Sequence, residues 1–509
     1  MDKFFQNIKS TYKAAFVGTF VIGFLCYFYL LTHHFLTYDS LWNLYSDQNM
    51  ISSGRQFLTY ACSVGSYYDL PAINGLLSIV YLAVSAVIMV DIFKIQNKVT
   101  AVLMGGFLVT FPSIISTFAY SFTVDGYMLA VLLTTLAFWI TDRYKYGFTV
   151  GVVLNGVAIG IYQAYFAYLI VLCILKLLLD LLEEENLKKI YRSIGRYLIM
   201  GIGGYVFYVI SLKLMLLWQH AETSGYQGTD KVLGFSLSQL PQGLKAAFDS
   251  FYYFARWGNV LTTTTVMKLC YVVLFLCGAV MYGYFFIKNK RYKKCVRIIL
   301  AGVLVLGLPF GLNVITILAP EAYFHLLMRY AWVLFFVWFL VLAERIVVTD
   351  SENKRKVKCV IPVFLCSAVM IFQFAVMANI VAFNMEERYE KTYALCLRVV
   401  DRLEQMEGYE TGMEVAILGG FPDSEYYPAT GITGKDLSGY FGVEGEYAVN
   451  STHKIAEFCA HYLNVTIQTI PPEREVELTG TEEFQQMEKF PHKECIKQID
   501  GVWVIKFNG

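Results

Sequence analysis

Residues 14–36 read AAFVGTFVIGFLCYFYLLTHHFL, a run without any Lys, Arg, Asp or Glu. A helix of about 20 apolar residues crosses the hydrocarbon core of a bilayer. The run is too long for a signal-peptide core and no small-residue cleavage site follows it, so we expect a retained membrane anchor. Over the whole chain 57% of residues are hydrophobic and 16% are charged, which excludes an ordinary soluble protein.

Ten further apolar segments follow this anchor, and each is a candidate transmembrane helix. The sequence therefore predicts a polytopic α-helical membrane protein with about 11 spans. The connections around the fourth to sixth of all eleven segments, 124–141, 147–163 and 164–182, are very short. The ten segments lie near residues 72–93, 99–120, 124–141, 147–163, 164–182, 196–218, 263–287, 296–318, 326–347 and 359–381.

Lysine and arginine are concentrated in alternate connections, for example within residues 288–297 and 354–358. Such basic connections remain on the cytoplasmic side, which also places the N-terminus there. An odd number of spans then places the C-terminus outside the plasma membrane. We expect three outer regions, at residues 37–71, 219–262 and about 385–509.

The last of these regions differs in composition from the rest of the chain, being charged and richer in proline. It contains two short apolar runs typical of strands, 413–418 and 502–507, and two helical patterns, 386–407 and 455–463. We therefore predict a transmembrane domain over 1–384 and a small extracytoplasmic α/β domain over 385–509.

Cysteines and histidines do not form a recognisable site in the sequence. The eleven cysteines include no C-x-x-C pair and the seven histidines no H-x-x-x-H spacing, so we expect neither a disulfide framework nor a zinc site. Aspartates at the outer face are nevertheless compatible with a divalent metal. No phosphate loop, dinucleotide fingerprint or nucleophile elbow is present, and nothing indicates a nucleic-acid partner.

Three aspartates in the outer regions are candidate catalytic acids or bases. Asp39 and Asp47 lie in the loop 37–71, and on a helix their spacing would place them on one face about 12 Å apart. Either one could take a proton from an acceptor hydroxyl, or both could be ordinary loop carboxylates. Asp125 lies at the start of the fourth span, where it could hold an acceptor or simply favour the helix start through the dipole.

Three arginines on the outer side are candidate ligands for the phosphate of a lipid carrier, because guanidinium forks onto phosphate oxygens. Arg329 lies inside an apolar span close to Glu321 and His325, and Glu321 is also its obvious ion-pair partner. Arg256 is a weaker candidate. Arg55 could bind phosphate or pair with Asp47.

Aromatic and amide side chains near the outer face could contact a sugar. Tyr162-Gln163 interrupts the apolar sequence between the fifth and sixth spans, and Trp42 could stack on a sugar ring. Alternatively, Tyr162-Gln163 forms a turn bound by lipid headgroups, and Trp42 belongs to the aromatic belt of the membrane interface.

The motifs Asp39-x-x-Trp42, Asp47, Gly54-Arg55, Ser121 to Tyr127 and Ile161 to Tyr165 resemble those of the bacterial glucosyltransferase II family, which includes serotype-converting enzymes. The resemblance covers roughly residues 10–385. It implies a C-type glycosyltransferase that takes a hexose, glucose in this family, from a polyprenyl-phosphate carrier and passes it to a cell-surface glycan at the outer face of the membrane.

The resemblance also implies roles for particular residues. Asp39 corresponds to the expected base in the first outer loop, with Asp47 second, and Asp125 to the acid of the second loop. The resemblance assigns the contact with the lipid phosphate to Arg329. Asp125 departs from the D-D or E-D form of some relatives, which leaves its role open.

Two other classes of protein share parts of this pattern. A transporter or flippase of lipid-linked sugar would have the same hydrophobicity, but it would bury polar residues near mid-membrane and often show a repeated half, which this sequence lacks. A sensor or scaffold would not need eleven spans to anchor a domain of about 125 residues.

Overall fold

The computed structural model describes residues 8–224, 237–256, 259–349, 352, 354–421, 439–443 and 445–507. The eleven apolar segments are helical in it, the segment 99–120 as a bent pair of helices, which confirms the predicted polytopic α-helical fold class. The principal helices are α1 (Ser10–Thr32), α2 (Pro71–Ile92), α3 (Lys98–Thr110), α4 (Pro112–Phe118), α5 (Val124–Arg143), α6 (Gly147–Ile161), α7 (Tyr165–Glu183), α8 (Leu187–Gln219), α9 (Leu240–Ala255), α10 (Thr265–Lys288), α11 (Cys295–Leu312), α12 (Leu326–Thr349), α13 (Ile361–Glu404), α14 (Thr452–Phe458) and α15 (Pro472–Thr479).

Nine helices within the described ranges are long and apolar enough to cross a membrane, and ten if the bent pair α3 and α4 counts as one span. The predicted span at 147–163 is α6, which has 15 residues. At 1.5 Å per residue it is about 22 Å long, shorter than the hydrocarbon core of about 30 Å. The last predicted span is part of α13, a continuous helix of 44 residues, so the predicted boundary at 384/385 falls inside a helix.

The break between α3 and α4 has a local cause. Pro112 has no N–H, so the carbonyl of Leu108 loses its helical donor, and the chain bends by 47°. A buried tyrosine supplies the missing donor, since Tyr330 Oη donates to Leu108 O at 2.9 Å, and a second, Tyr27 Oη, donates to the neighbouring Val109 O at 2.8 Å. The bend therefore leaves these two carbonyls satisfied within an apolar environment.

Two charged side chains close helix ends that would otherwise leave backbone groups without partners. Arg297, fully buried, donates to the carbonyls of Leu181, Glu184 and Glu185 at 2.7, 2.7 and 2.9 Å, at the end of α7. Glu344, also fully buried, accepts from the backbone N–H groups just before α3. These charges are structural, because their partners are backbone atoms of the same chain.

Near the C-terminus the described residues form a four-stranded sheet in the order β2 (Gln468–Thr469), β1 (Glu414–Leu418), β4 (Val502–Lys506) and β3 (Ile496–Ile499). The two predicted strands are β1 and β4, which are parallel neighbours. Asp500 and Gly501 join β3 to β4, and both have positive φ, 48° and 81°. Such a turn matches the twist of an antiparallel hairpin.

The chain divides into two compact units. The membrane unit comprises Met1–His34, Tyr45–Asn379 and Tyr440–Gly442, and the C-terminal unit comprises Phe35–Leu44, Ile380–Gly439 and Val443–Gly509. The predicted outer loop 37–71 is therefore split. Its first part joins the C-terminal unit because Leu36 and Leu41 are buried in one apolar cluster with Val399, Val415 and Ile505. Residues 225–236 and 257–258 of the second predicted outer region lie outside the described residues.

Candidate functional site

The segment before Arg55 is held by a glutamine from another helix connection. Gln163 Nε2 donates to the carbonyls of Ser53 and Gly54, both at 2.9 Å, and to Tyr208 Oη at 3.3 Å. Gly54 has φ of 71°, a left-handed conformation that suits glycine. Gln163, for which the sequence allowed either a contact with a sugar or a headgroup-bound turn, thus positions the Arg55 segment.

Arg55 lies among tyrosines. Its Nη1 donates to Tyr127 Oη at 3.1 Å, and its guanidinium is 5.1 Å from the ring centroid of Tyr162. The rings of Tyr127 and Tyr162 are themselves stacked at 4.3 Å. Asp47 is not the ion-pair partner of Arg55 that the sequence allowed, since no ion pair of Asp47 is present among the described residues. Arg55 is therefore oriented by aromatic groups.

A narrow cleft, part of it open to solvent, lies in the membrane unit beside this arginine. Arg55, Tyr162 and Gln163, three of the candidates from the sequence, line it together. Residues after α11 also contribute to the lining, including Ile315, Phe324 and Met328. The cleft thus combines apolar walls with a few polar groups, as is usual for small-molecule sites.

Arg329 directly follows a residue of this cleft and lies in the kinked first part of α12. It is partly buried, and its guanidinium lies 4.7 Å from the ring centroid of Phe254 and 4.8 Å from that of Phe324. Its Nη1 is enclosed and has no hydrogen-bond partner in the described part of the chain. No carboxylate there lies within 4.0 Å, so the expected ion pair with Glu321 does not form. Arg329 therefore retains the capacity to bind an anion.

Two of the remaining candidates of this region, Glu321 and Arg256, are more exposed than Arg329. Glu321 is exposed, and the His325 ring contacts Tyr323 with centroids 4.4 Å apart. Arg256 is exposed at the end of α9, where its guanidinium lies 4.5 Å from the Tyr253 ring centroid. None of these three side chains lines the cleft described above.

Asp125 lies in the first turn of α5 and is only 1% exposed. Its Oδ1 accepts from Gly126 N at 2.9 Å, whereas its Oδ2 has no hydrogen-bond partner among the residues that the structure describes. A Cβ on Gly65 would be 2.6 Å from this Oδ2 and 2.5 Å from Asn74 Oδ1. The carboxylate thus packs tightly against the Gly65 backbone, and it does not line the cleft.

Asp47 and Asp39 belong to different units, and neither lies on an α-helix. Asp47 is exposed, and its Oδ1 accepts from Asn49 N at 3.1 Å in a tight turn. Asp39 precedes the 3₁₀ turn Ser40–Asn43. The shared helical face considered from their spacing is therefore absent, because the intervening chain is irregular.

Asp39 and Trp42 are both exposed, and they adjoin a buried lysine of α14. Lys454 Nζ donates to the carbonyl of Tyr38, lies 3.9 Å from Asp39 Oδ1 and lies 4.8 Å from the Trp42 ring centroid. Burial lowers the pKa of Lys454 below its ordinary 10.5, while Asp39 and Glu457 act in the opposite direction. The lysine thus fixes the backbone that carries Asp39.

Comparison with known proteins gives one result for this chain. A family model described as glucosyl transferase GtrII matches residues 28–343, which is more than half of the chain. The chain belongs to the GtrII family. It is accordingly a glucosyltransferase, and the resemblance stated from its motifs is confirmed. No curated protein and no solved structure matches it.

The part that matches the GtrII family contains every candidate site residue predicted from the sequence, but it excludes Lys454. Sequence reasoning missed two residues of these surroundings. Tyr127 was within reach, since it ends the motif that contains Asp125, but nothing in the local sequence distinguishes Lys454. Within the described ranges, no group of three or more His, Cys, Asp or Glu side chains is arranged to hold a metal ion.

Proposed function

We propose that this glucosyltransferase transfers glucose from a polyprenyl-phosphate carrier to a cell-surface glycan at the outer face of the plasma membrane. The observation that carries the proposal is Arg329, a cation beside an aromatic-lined cleft with an enclosed Nη1 that no described residue engages. A cation in a membrane-spanning segment costs free energy unless it has a partner. The phosphate of a lipid carrier supplies that partner.

The sugar-phosphate end of such a carrier suits the lining of the cleft. Phosphate oxygens match the planar fork of a guanidinium, and the apolar walls suit the lipid that follows the phosphate. Arg55, which lines the cleft and is oriented by Tyr127 and Tyr162, is the second cation that we assign to the donor. Gln163 acts on the donor indirectly, because it holds the Arg55 segment.

The chemistry follows from these assignments. The acceptor hydroxyl oxygen attacks the anomeric carbon and gives its proton to a general base, the role that the sequence predicts for Asp39. The bond between the anomeric carbon and the phosphate oxygen breaks, and its electron pair leaves with polyprenyl phosphate. Arg329 stabilises the negative charge that develops on this leaving group. A single displacement of this kind inverts the anomeric configuration.

The test is transfer of radiolabel from polyprenyl-phosphate-[¹⁴C]glucose to envelope glycan, in membranes that contain the full chain. We expect Arg329→Met to reduce transfer about 10²–10³-fold, the usual loss for one donor to a developing oxyanion. We expect Asp39→Asn to reduce transfer about 10²–10⁴-fold. Asp47→Asn is compared in the same assay, and it should retain most of the activity because the Asp47 carboxylate is engaged within its own turn by Asn49 N.

The matched control is Arg192→Met, which makes the same change at an exposed arginine of α8 without an assigned role. Equal losses for Arg329→Met and Arg192→Met would contradict the assignment of Arg329. If the wild-type chain transfers no label from any lipid-linked hexose, but moves the labelled lipid across the bilayer, the protein is a transporter of lipid-linked sugar instead.

A further inference from the structure

We propose that the exposed face formed by Asp39, Trp42 and His453 in the C-terminal unit binds a neutral hexopyranose residue of the acceptor glycan. That the ring belongs to the acceptor rests on the proposed function, whereas the binding of a pyranose ring is inferred from the face itself. The face combines one exposed aromatic ring with a carboxylate and an imidazole. Nothing in the family match covers His453, which lies outside residues 28–343.

The aromatic element is Trp42, whose side chain is 54% exposed although its neighbours Leu41 and Ser40 are buried. Its ring lies 4.8 Å from Lys454 Nζ, a cation–π distance, and 6.0 Å from the His453 ring centroid. The indole is thus fixed on a folded surface. An indole in this setting offers an apolar face to the C–H face of a pyranose ring.

The polar elements suit the hydroxyl groups at the edge of such a ring. The Asp39 side chain is 57% exposed and accepts hydrogen bonds, and the His453 side chain is 60% exposed. His453 Nε2 lies 3.3 Å from Glu457 Oε1, which orients the imidazole. The Asp39 carboxylate repels an anionic ligand, whereas a neutral polar ligand can donate hydrogen bonds to it.

The surroundings hold this face in one conformation before any ligand arrives. Lys454 Nζ donates to the Tyr38 carbonyl, and the Arg388 guanidinium lies 5.3 Å from the Tyr38 ring centroid. Gly445, with φ of 77°, lets the Tyr38 hydroxyl approach so closely that a Cβ there would be 2.5 Å away. A preformed face loses little conformational entropy on binding.

The alternative role of an exposed tryptophan is to lie at the membrane interface. Trp42 differs from an interface tryptophan in its neighbours, since Asp39, His453 and Lys454 are charged or polar. Such neighbours favour a sugar over acyl chains, and the membrane becomes an outcome of the test.

The experiment is saturation-transfer NMR on the purified full chain in nanodiscs, without any donor. The probes are the methyl pyranosides of glucose, galactose, mannose and N-acetylglucosamine. We expect at least one to bind the wild-type chain, Trp42→Ala to weaken it at least about tenfold, and Trp42→Phe to stay within about threefold, because the phenyl ring retains an apolar face. The control is Trp218→Ala, at a tryptophan of α8 that is 72% exposed.

Thermal unfolding of each variant shows whether the C-terminal unit remains folded, and Trp42→Phe keeps the test valid if Trp42→Ala does not. The proposal is overturned if no probe binds the wild-type chain, or if Trp42→Ala binds as the wild type does. It is also overturned if Trp42→Ala keeps its affinity for the sugars and weakens only the contact with nanodisc lipid. Because no donor is present, failure of glucose transfer would contradict the proposed function alone.

Discussion

Arg329 of the membrane unit and Lys454 of the C-terminal unit are two cations withdrawn from water that the chain treats differently. The Lys454 ammonium group has a backbone carbonyl, a carboxylate and an aromatic ring around it. Arg329 has two phenylalanine rings, and its Nη1 engages no described acceptor. A cation whose partners belong to the protein stabilises the fold, whereas one without them is available to a ligand.

The strongest test of this contrast is Arg329→Met. We expect binding of polyprenyl phosphate to fall by about 10²-fold or more, because a charge-assisted contact with phosphate is lost. Thermal stability should be unchanged or higher, since methionine fills apolar space without a desolvated charge. Lipid binding and thermal unfolding are measured on the same nanodisc sample. A large drop in melting temperature would show that Arg329 has a structural role.

Arg297→Met should give the opposite result within the same unit. Its guanidinium closes the end of α7 through three backbone carbonyls, so its loss should reduce the free energy of unfolding by about 2–3 kcal/mol. Lipid binding per folded molecule should remain close to that of the wild type. Denaturant unfolding and lipid binding together check this, and unchanged stability would contradict the distinction between the two arginines.

Lys454→Met should have a smaller effect on stability, about 1–2 kcal/mol, because Asp39 is exposed and mainly the contact with Tyr38 is lost. Transfer should fall about tenfold as the Asp39 segment loosens. Lys454→Arg should recover part of the stability and part of the transfer activity. Transfer kinetics and unfolding of the three proteins are compared. If Lys454→Met alters neither, the lysine does not position Asp39.

The smallest expected effect is a dependence of stability on pH. Burial lowers the folded pKa of Lys454 below its ordinary 10.5. Between the folded pKa and 10.5 the unfolded chain binds more protons, so the free energy of unfolding should rise with pH across this window and be level below it. Denaturant unfolding at several alkaline pH values checks this against Lys454→Met, which should lack the rise. Equal slopes of unfolding free energy against pH for the wild type and Lys454→Met would show that Lys454 does not cause the rise.

Much of the membrane unit could be predicted from the sequence, because apolar runs directly reveal helices that must satisfy their own backbone groups. The exceptions have local causes. Pro112 bends one predicted span, and α6 is shorter than its apolar run indicated. The residues Arg55, Tyr162 and Gln163 were recognised as candidates, but their arrangement around one cleft depends on hydrogen bonds between distant segments.

The environment of Asp39 could not be predicted in this way. Its segment has no periodic pattern that reveals burial of Leu36 and Leu41 with strands more than 370 residues further along the chain. Lys454 likewise occupies an unremarkable stretch of sequence. Pairings of this kind leave no trace in local spacing, because both partners are satisfied only after the tertiary structure forms.

The contact between Lys454 and Tyr38 joins residues 416 positions apart in the sequence. A ribosome adds about 5–20 residues per second, so the Asp39 segment waits roughly 20–80 s for the residues that complete its core. During that interval the chain has many of its membrane helices but no completed segment around its proposed base. A chain that ends prematurely should therefore be inserted yet inactive, so that activity itself reports that synthesis reached the last strand.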